Sequence, residues 1–273
     1  GDHKVIGACY TLLCEALRAV QPALMARVTV MLQSEAILKD PSQYWISVIN
    51  VGRYFQLQRV REVDEANEYA GQVIAALMHV GDVLALAPAT LACTAGSSMQ
   101  AAHELAAAYI AETNVTEIPK PRVYAMGALD SLLKPPHMLE GPGNADDDVF
   151  VLDGTMDVGR KMKRAFCEPG NIQHCPPITL SEACLFTTGA KLDIARKEEN
   201  GGDKTYSNVD ELQADFKSGA LHPGDLKPFV TKAVDAFLQN VRDRCKSVET
   251  AKKAEADVRA YLKKLAAASK KKK

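Results

Sequence analysis

Near the C-terminus, Leu226, Phe229, Val230, Ala233, Val234, Phe237, Leu238 and Val241 recur at i, i+3, i+4 and i+7. At 3.6 residues per turn these positions form one stripe, so the segment must be a helix with one buried face. Pro228 limits where that helix begins. Proline has no N–H to donate and is tolerated only in a first turn, where the N–H has no partner anyway. The helix is therefore expected to start near Asp225, within GALHPGDLKPFV (Gly219 to Val230). A second helix, roughly Val248 to Ala268, carries many basic residues and is expected to pack loosely before the tail SKKKK.

Upstream, VIGACYTLLCEALRAV reads as an amphipathic helix and RVTVML (Arg27 to Leu32) as a short buried strand. Two helical stretches follow, PSQYWISVINVGRYFQLQ and ANEYAGQVIAALMHV, then a third that the Ser97 hydroxyl can cap. RVYAMG and VFVL read as further strands, and strands alternating with helices indicate an α/β layer. The run Lys134 to Asp148, rich in Pro, Gly and acid, must be a loop. After Thr155 the pattern turns helical, with MDVGRKMKRAF, TLSEACLF and NVDELQADFKSG; Ser207 is the expected cap of the last and Gly219 its stop. The expected division is 1–154 for the α/β part and 155–273 for a helical domain.

Charge divides the same way. Residues 1–155 hold 10 Lys and Arg against 18 Asp and Glu, whereas 156–273 hold 23 against 16. Such asymmetry fits a module for polyanions joined to one that is not, and equally a solvated charged helical surface with a lysine tail. No apolar run is long enough for a membrane span, and no secretory signal is visible. The seven cysteines are irregularly spaced, which argues against a disulfide framework and for reduced thiols in a cytoplasmic protein. His174 and Cys175 with Cys167 lack the tight spacing of a zinc site, and no metal is expected. The chain opens at Gly1 without a methionine, which fits a fragment, an engineered start or part of a longer polypeptide.

A carboxylate at a helix start has an ordinary structural use, accepting from first-turn N–H groups and complementing the helix dipole. The neighbouring phrases shift the balance. RKMKRAFCEPGN (Arg160 to Asn171), GGDKTY (Gly201 to Tyr206) and LHPGDLK (Leu221 to Lys227) occur in that order. They resemble the anticodon-binding part of tyrosyl-tRNA synthetases of the eukaryotic and archaeal type, from about Thr155 to Arg244; the likeness upstream lies mainly in element order. The resemblance implies a Rossmann-like class I catalytic domain, here a degenerate remnant, followed by an all-α anticodon-binding domain. It also implies that His222 and Asp225 face the anticodon, with Asp225 accepting from the first-position guanine. A carboxylate suits that donor edge and repels phosphate, so it fits base reading better than backbone binding. Arg160, Lys161, Lys163 and Arg164 would supply the phosphate attraction. Where the family places an aromatic that stacks on the anticodon, this chain has Asn200.

The family's ATP-binding turns have no counterpart. The first should precede Gly1; the second falls in register at Leu139 to Gly143, LEGPG, which offers no lysine or serine. The tyrosine-binding positions fall on Leu77, Gly81, Leu84, Leu91, Cys93 and the Ala95 to Met99 turn, all without charge. The resemblance thus implies no catalytic residue and no cofactor in this segment. ATP with magnesium belongs to the intact enzyme, on a catalytic half in the same chain or on another subunit. The partners are then tRNA(Tyr) and that half, met through helices Tyr44 to Gln58 and Ala66 to Val80. Two rivals stand beside this reading: a self-sufficient ligase read in the wrong register, and a scaffold that no longer touches RNA.

Overall fold

The computed structural model describes residues 3–64, 68–113, 115, 118–127, 129, 131–133, 135 and 146–270, without the side chains of 200, 269 and 270. Along the chain run α1 (His3–Val20), α2 (Pro22–Met25), α3 (Gln33–Ile37), α4 (Pro41–Tyr54), α5 (Leu57–Arg61), α6 (Ala70–Leu86), β1 (Thr90–Thr94), α7 (Ser98–Glu112) and β2 (Arg122–Met126). Then come α8 (Thr155–Arg164), α9 (Pro176–Cys184), β3 (Leu192–Ile194), β4 (Lys204–Tyr206), α10 (Val209–Ser218), α11 (Pro223–Ser247) and α12 (Glu249–Lys270). Two compact units result: Thr29–Ala128, and Gly1–Val28 together with Leu129–Lys273.

The smaller unit is the α/β part. β1 and β2 pair in parallel, Thr90 opposite Arg122 and Thr94 opposite Met126, with α7 as the crossover between them. A parallel pair needs a crossover of this kind because a tight turn cannot reverse the chain twice. The Ser97 hydroxyl accepts from the Gln100 N–H and starts α7 as expected. Val51, Val60, Val80, Leu105, Ala106 and Ile110 form the core. Gly81 lets α6 close on α4, since a Cβ there would lie 2.9 Å from Val48 Cγ2.

A histidine pair joins α6 to α7. His103 is buried, and its Nε2 faces the Ala92 carbonyl at 3.3 Å. A carbonyl only accepts, so Nε2 carries the proton and Nδ1 is left to accept from His79 Nε2, 2.8 Å away. Burial, and then the nearby His103, hold the His79 pKa below its ordinary 6.5, against the opposing pull of Asp82. Because the folded state binds the proton less readily than the unfolded chain, stability from this site is present above about 6.5 and falls as pH drops below it. Urea midpoints should decline from pH 7.5 to 5.5, and His79→Gln should flatten that decline.

The larger unit is mostly helical. Val158, Met162, Leu212, Phe216, Leu226, Val230, Val234 and Leu238 fill its main core, together with Leu192, Ile194 and Tyr206 from the antiparallel β3–β4 hairpin. A second cluster joins Ala8, Leu12 and Ala16 of α1 to Val241 and Cys245 of α11 and to Ala251, Ala254 and Val258 of α12. The Arg244 Nε–Glu15 Oε2 ion pair at 2.8 Å closes the same seam.

Several expectations need correction. The compact units do not divide at 154/155, because the stripe on α1 is buried by α11 and α12. α12 packs closely rather than loosely, since the buried Ala251 and Ala254 carry only a methyl group and let the helices approach. Arg27 to Leu32 is irregular: the sheet of this unit holds β1 and β2, and no described strand pairs with it. VFVL is a turn whose Val149, Val151 and Leu152 pack on the helical clusters without a ladder. The helical body is not all-α, because β3–β4 belongs to it, and β1 is a strand that apolar patterning did not single out. α4 ends at Tyr54 instead of continuing to Gln58. α10 is capped by Asn208, whose Oδ1 accepts from the Glu211 N–H at 2.9 Å, and not by Ser207. Gly219 stops it at φ +81, as expected of a left-handed terminus. Most of the Lys134 to Asp148 loop lies outside the described residues.

Candidate nucleic-acid interface

The turn from α10 into α11 is built for exposure at one point. Leu221 is buried and its N–H reaches the Asp215 carbonyl at 3.1 Å, which pins the turn from below. His222 follows in extended conformation, exposed, as the N-cap of α11. Its Nδ1 accepts from the Gly224 N–H at 3.1 Å, so the neutral ring carries its proton on Nε2 and directs a donor outward. Gly224 allows this closeness, since a Cβ there would lie 3.2 Å from the same nitrogen.

The helix therefore starts two residues earlier than Pro228 alone required, and the imidazole is the cap. Asp225 is left without that task. Its backbone N–H bonds to the His222 carbonyl at 2.9 Å, but its half-buried carboxylate has no hydrogen-bond or ion-pair partner among the described residues. An unpaired carboxylate in the first turn still gains from the positive end of the helix dipole. It is an acceptor held ready.

His222 and Asp225 line an open cleft of about 560 Å³ with Gly219, Ala220, Glu199 and Gly201. The opposite wall is the β3–β4 connection, where Glu198–Asn200 form a single turn closed by Gly201 at φ +91 and Gly202 at φ +67. Asn200 thus stands beside the cleft in backbone terms; its side chain lies outside the described residues.

Arg196, which sequence reasoning passed over, holds the walls together. Its Nε donates to the Gly202 carbonyl at 2.9 Å and a terminal nitrogen donates to the Ala220 carbonyl at 2.7 Å. Its own N–H bonds to Asp203 Oδ1 at 2.8 Å. The only hint in the sequence was an arginine just ahead of the Gly-Gly pair.

Lys227 ties the same first turn to the basic helix. Its ammonium donates to the carbonyls of Lys163 at 2.7 Å and Ala165 at 2.9 Å, the open C-terminal end of α8. The four cations expected on that helix separate into different roles. Lys163 is exposed, with no ion-pair partner among the described residues. Arg160 and Arg164 are exposed and share Asp146, at 2.5 and 2.6 Å. The Arg160 bond comes first in holding the Asp146 carboxyl below its ordinary range.

Lys161 is a correction. It is 3% exposed, paired with Asp153 at 2.7 Å, bonded to the Asp148 carbonyl at 2.9 Å and set 4.5 Å above the Phe150 ring. An ammonium enclosed on three sides cannot meet a phosphate.

In the α/β unit, three of the positions aligned with a tyrosine pocket, Leu77, Gly81 and Cys93, are packing positions. Leu77 lies against the core, Gly81 is sealed against Val48 and Tyr44, and the Cys93 thiol is buried over the Tyr124 carbonyl. Leu139 to Gly143 lies outside the described residues. Among the described residues no three potential ligands gather for a metal, and no helix is long and apolar enough to cross a membrane.

The parallel βαβ unit and the mostly helical unit accord with the architecture of class I synthetases. The chain belongs to the family described as tRNA synthetases class I (W and Y), which matches residues 15–239. Among its relatives in that family are tyrosyl-tRNA synthetases. Tyrosine–tRNA ligase 1, cytoplasmic, of Arabidopsis thaliana is 27% identical over 244 residues, covering 86% of this chain and 62% of that protein. The cytoplasmic tyrosine–tRNA ligase of Xenopus tropicalis is 37% identical over 107 residues, covering 39% of this chain and 20% of that protein. The solved Leishmania major tyrosyl-tRNA synthetase in complex with tyrosinol has a TM-score of 0.73 at 30% identity, covering 96% of this chain and 37% of that one. This chain therefore spans less than two thirds of each of them.

Proposed function

We propose that this chain is the tRNA-binding, non-catalytic half of a tyrosine–tRNA ligase. The single observation that carries the reading is the cleft in which the outward Nε2–H of His222 and the unpartnered carboxylate of Asp225 stand together. One offers a donor and the other an acceptor, which is what the edge of an unstacked base requires. Guanine, with its adjacent N–H donors, matches the carboxylate. Lys163, Arg160 and Arg164 add an attraction to phosphate that is independent of sequence.

ATP does not fit the residues present. The aligned loop LEGPG has no cation to meet a phosphate, and Leu77, Gly81 and Cys93, aligned with the tyrosine pocket, bring no charged group. Activation and transfer then belong to a partner half, with ATP and magnesium, in the cytoplasm. That half would meet the α/β unit at α4, where Tyr44, Val48 and Val51 face the core while Trp45, Ile46 and Ile49 are 41%, 53% and 59% exposed. Ile74, on α6, is 44% exposed.

Filter binding of tRNA(Tyr) tests the reading. Asp225→Ala should weaken binding by about 1–3 kcal/mol when guanine is first in the anticodon, and far less when that base is replaced. Equal affinity of the wild type and a double variant carrying His222→Ala and Asp225→Ala would favour the RNA-independent scaffold. Tyrosine-dependent ATP–pyrophosphate exchange by this chain alone would instead restore the self-sufficient ligase.

A further inference from the structure

We propose that Cys167 and Cys175, in the loop between α8 and α9, form a reversible internal disulfide and so constitute a thiol modification site. Their sulfurs lie 3.7 Å apart. A disulfide needs about 2.05 Å, so closure requires a shift of under about 2 Å, within reach of side-chain rotation in a segment outside any helix or strand. The two thiols have complementary settings. Cys167 is partly exposed and can meet a small reagent, whereas Cys175 is buried behind it.

Cys175 is also the N-cap residue of α9, at the positive end of that helix. The Cys167 S–H donates to it and holds its pKa below the ordinary thiol value; burial opposes this, while the Ile178 N–H and the Lys227 ammonium add to it. Cys167, as the donor in that bond and partly buried, is held above the ordinary value. The two thiols are thus in direct S–H to S contact across 3.7 Å.

The reagent class is a low-molecular-weight disulfide. Cys167 gives up its proton and its sulfur bonds to one sulfur of the reagent, whose other half leaves as a thiolate. Cys175 then gives up its own proton, attacks Cys167 Sγ, forms the internal bond and expels the second thiolate. Two protein thiols are oxidised, one reagent disulfide is reduced to two thiols, and the two protons go to the leaving sulfurs. A metal is a poor alternative occupant, because His174 directs Nε2 to the Leu133 carbonyl at 2.8 Å and no three ligands gather among the described residues.

The full chain, exposed to oxidised glutathione and then alkylated, should lose two hydrogens in mass and yield a Cys167–Cys175 cross-linked peptide that dithiothreitol cleaves. Cys175→Ser and Cys175→Ala should each instead retain a glutathionyl group on Cys167, two variants guarding against a packing defect at the buried site. A wild-type chain that keeps glutathione on Cys167 without closing the internal bond would overturn the proposal. So would a cross-link that joins other cysteines while these two stay free.

Discussion

Lys161→Met should lower unfolding stability by about 3–5 kcal/mol, the typical result of removing one member of a buried ion pair. The substitution keeps the apolar stem but strands Asp153, which is buried and would retain only the Phe150 N–H at 2.8 Å. Urea denaturation at neutral pH measures the loss. Replacing the pair together, Lys161→Met with Asp153→Leu, should recover a substantial part of it, because no uncompensated charge remains. RNA affinity, measured well below the unfolding transition, should hardly change. Lys163→Ala should do the reverse: stability within about 0.5 kcal/mol of the parent, and a salt dependence of RNA binding reduced by about one counterion. If Lys161→Met leaves stability untouched but weakens RNA, the assignment of these two lysines is inverted.

Arg196→Ala is the second large effect expected. Its guanidinium donates to carbonyls on both walls of the cleft, and charge-assisted bonds of this kind contribute about 1.5–3 kcal/mol when buried, less here because one lies in an exposed setting. A stability loss of about 2 kcal/mol follows. The functional effect should be greater than that of any one wall residue, since Gly201 and Glu199 would no longer be held opposite His222 and Asp225. Discrimination at the first anticodon base should collapse together with affinity. Arg196→Lys should fall between, because one ammonium cannot reproduce the planar fork that spans the two carbonyls. Lost binding without any loss of stability would show that Arg196 touches RNA itself rather than bracing the cleft.

Much of the helical unit was legible residue by residue. The α11 stripe buries Leu226, Val230, Val234, Leu238 and Val241 as its spacing required, and Gly219 takes the left-handed conformation that ends α10. The phrase LHPGDLK pointed to the cleft. The α/β part was less legible, since a short β-branched run such as Arg27 to Leu32 has strand propensity whether or not a partner strand is present, and propensity is mostly a statement about packing surroundings. The same limit applied to the cap of α11. Asp225 is a good capping residue by type, yet the imidazole of His222 reached the open N–H first because Gly224 left room for it.

The sequence by itself determined which segments become helices and which of their faces are apolar, because periodicity, a missing N–H and a permitted φ act within a few residues. Tertiary structure decided everything that depends on partners distant in the chain. It placed α1 against α11 and α12, buried Lys161 while leaving Lys163 in solvent and set Arg196 across to Ala220. Two lysines two residues apart are the same in chemistry. They differ in which face of α8 they occupy and in what the folded chain has brought against it.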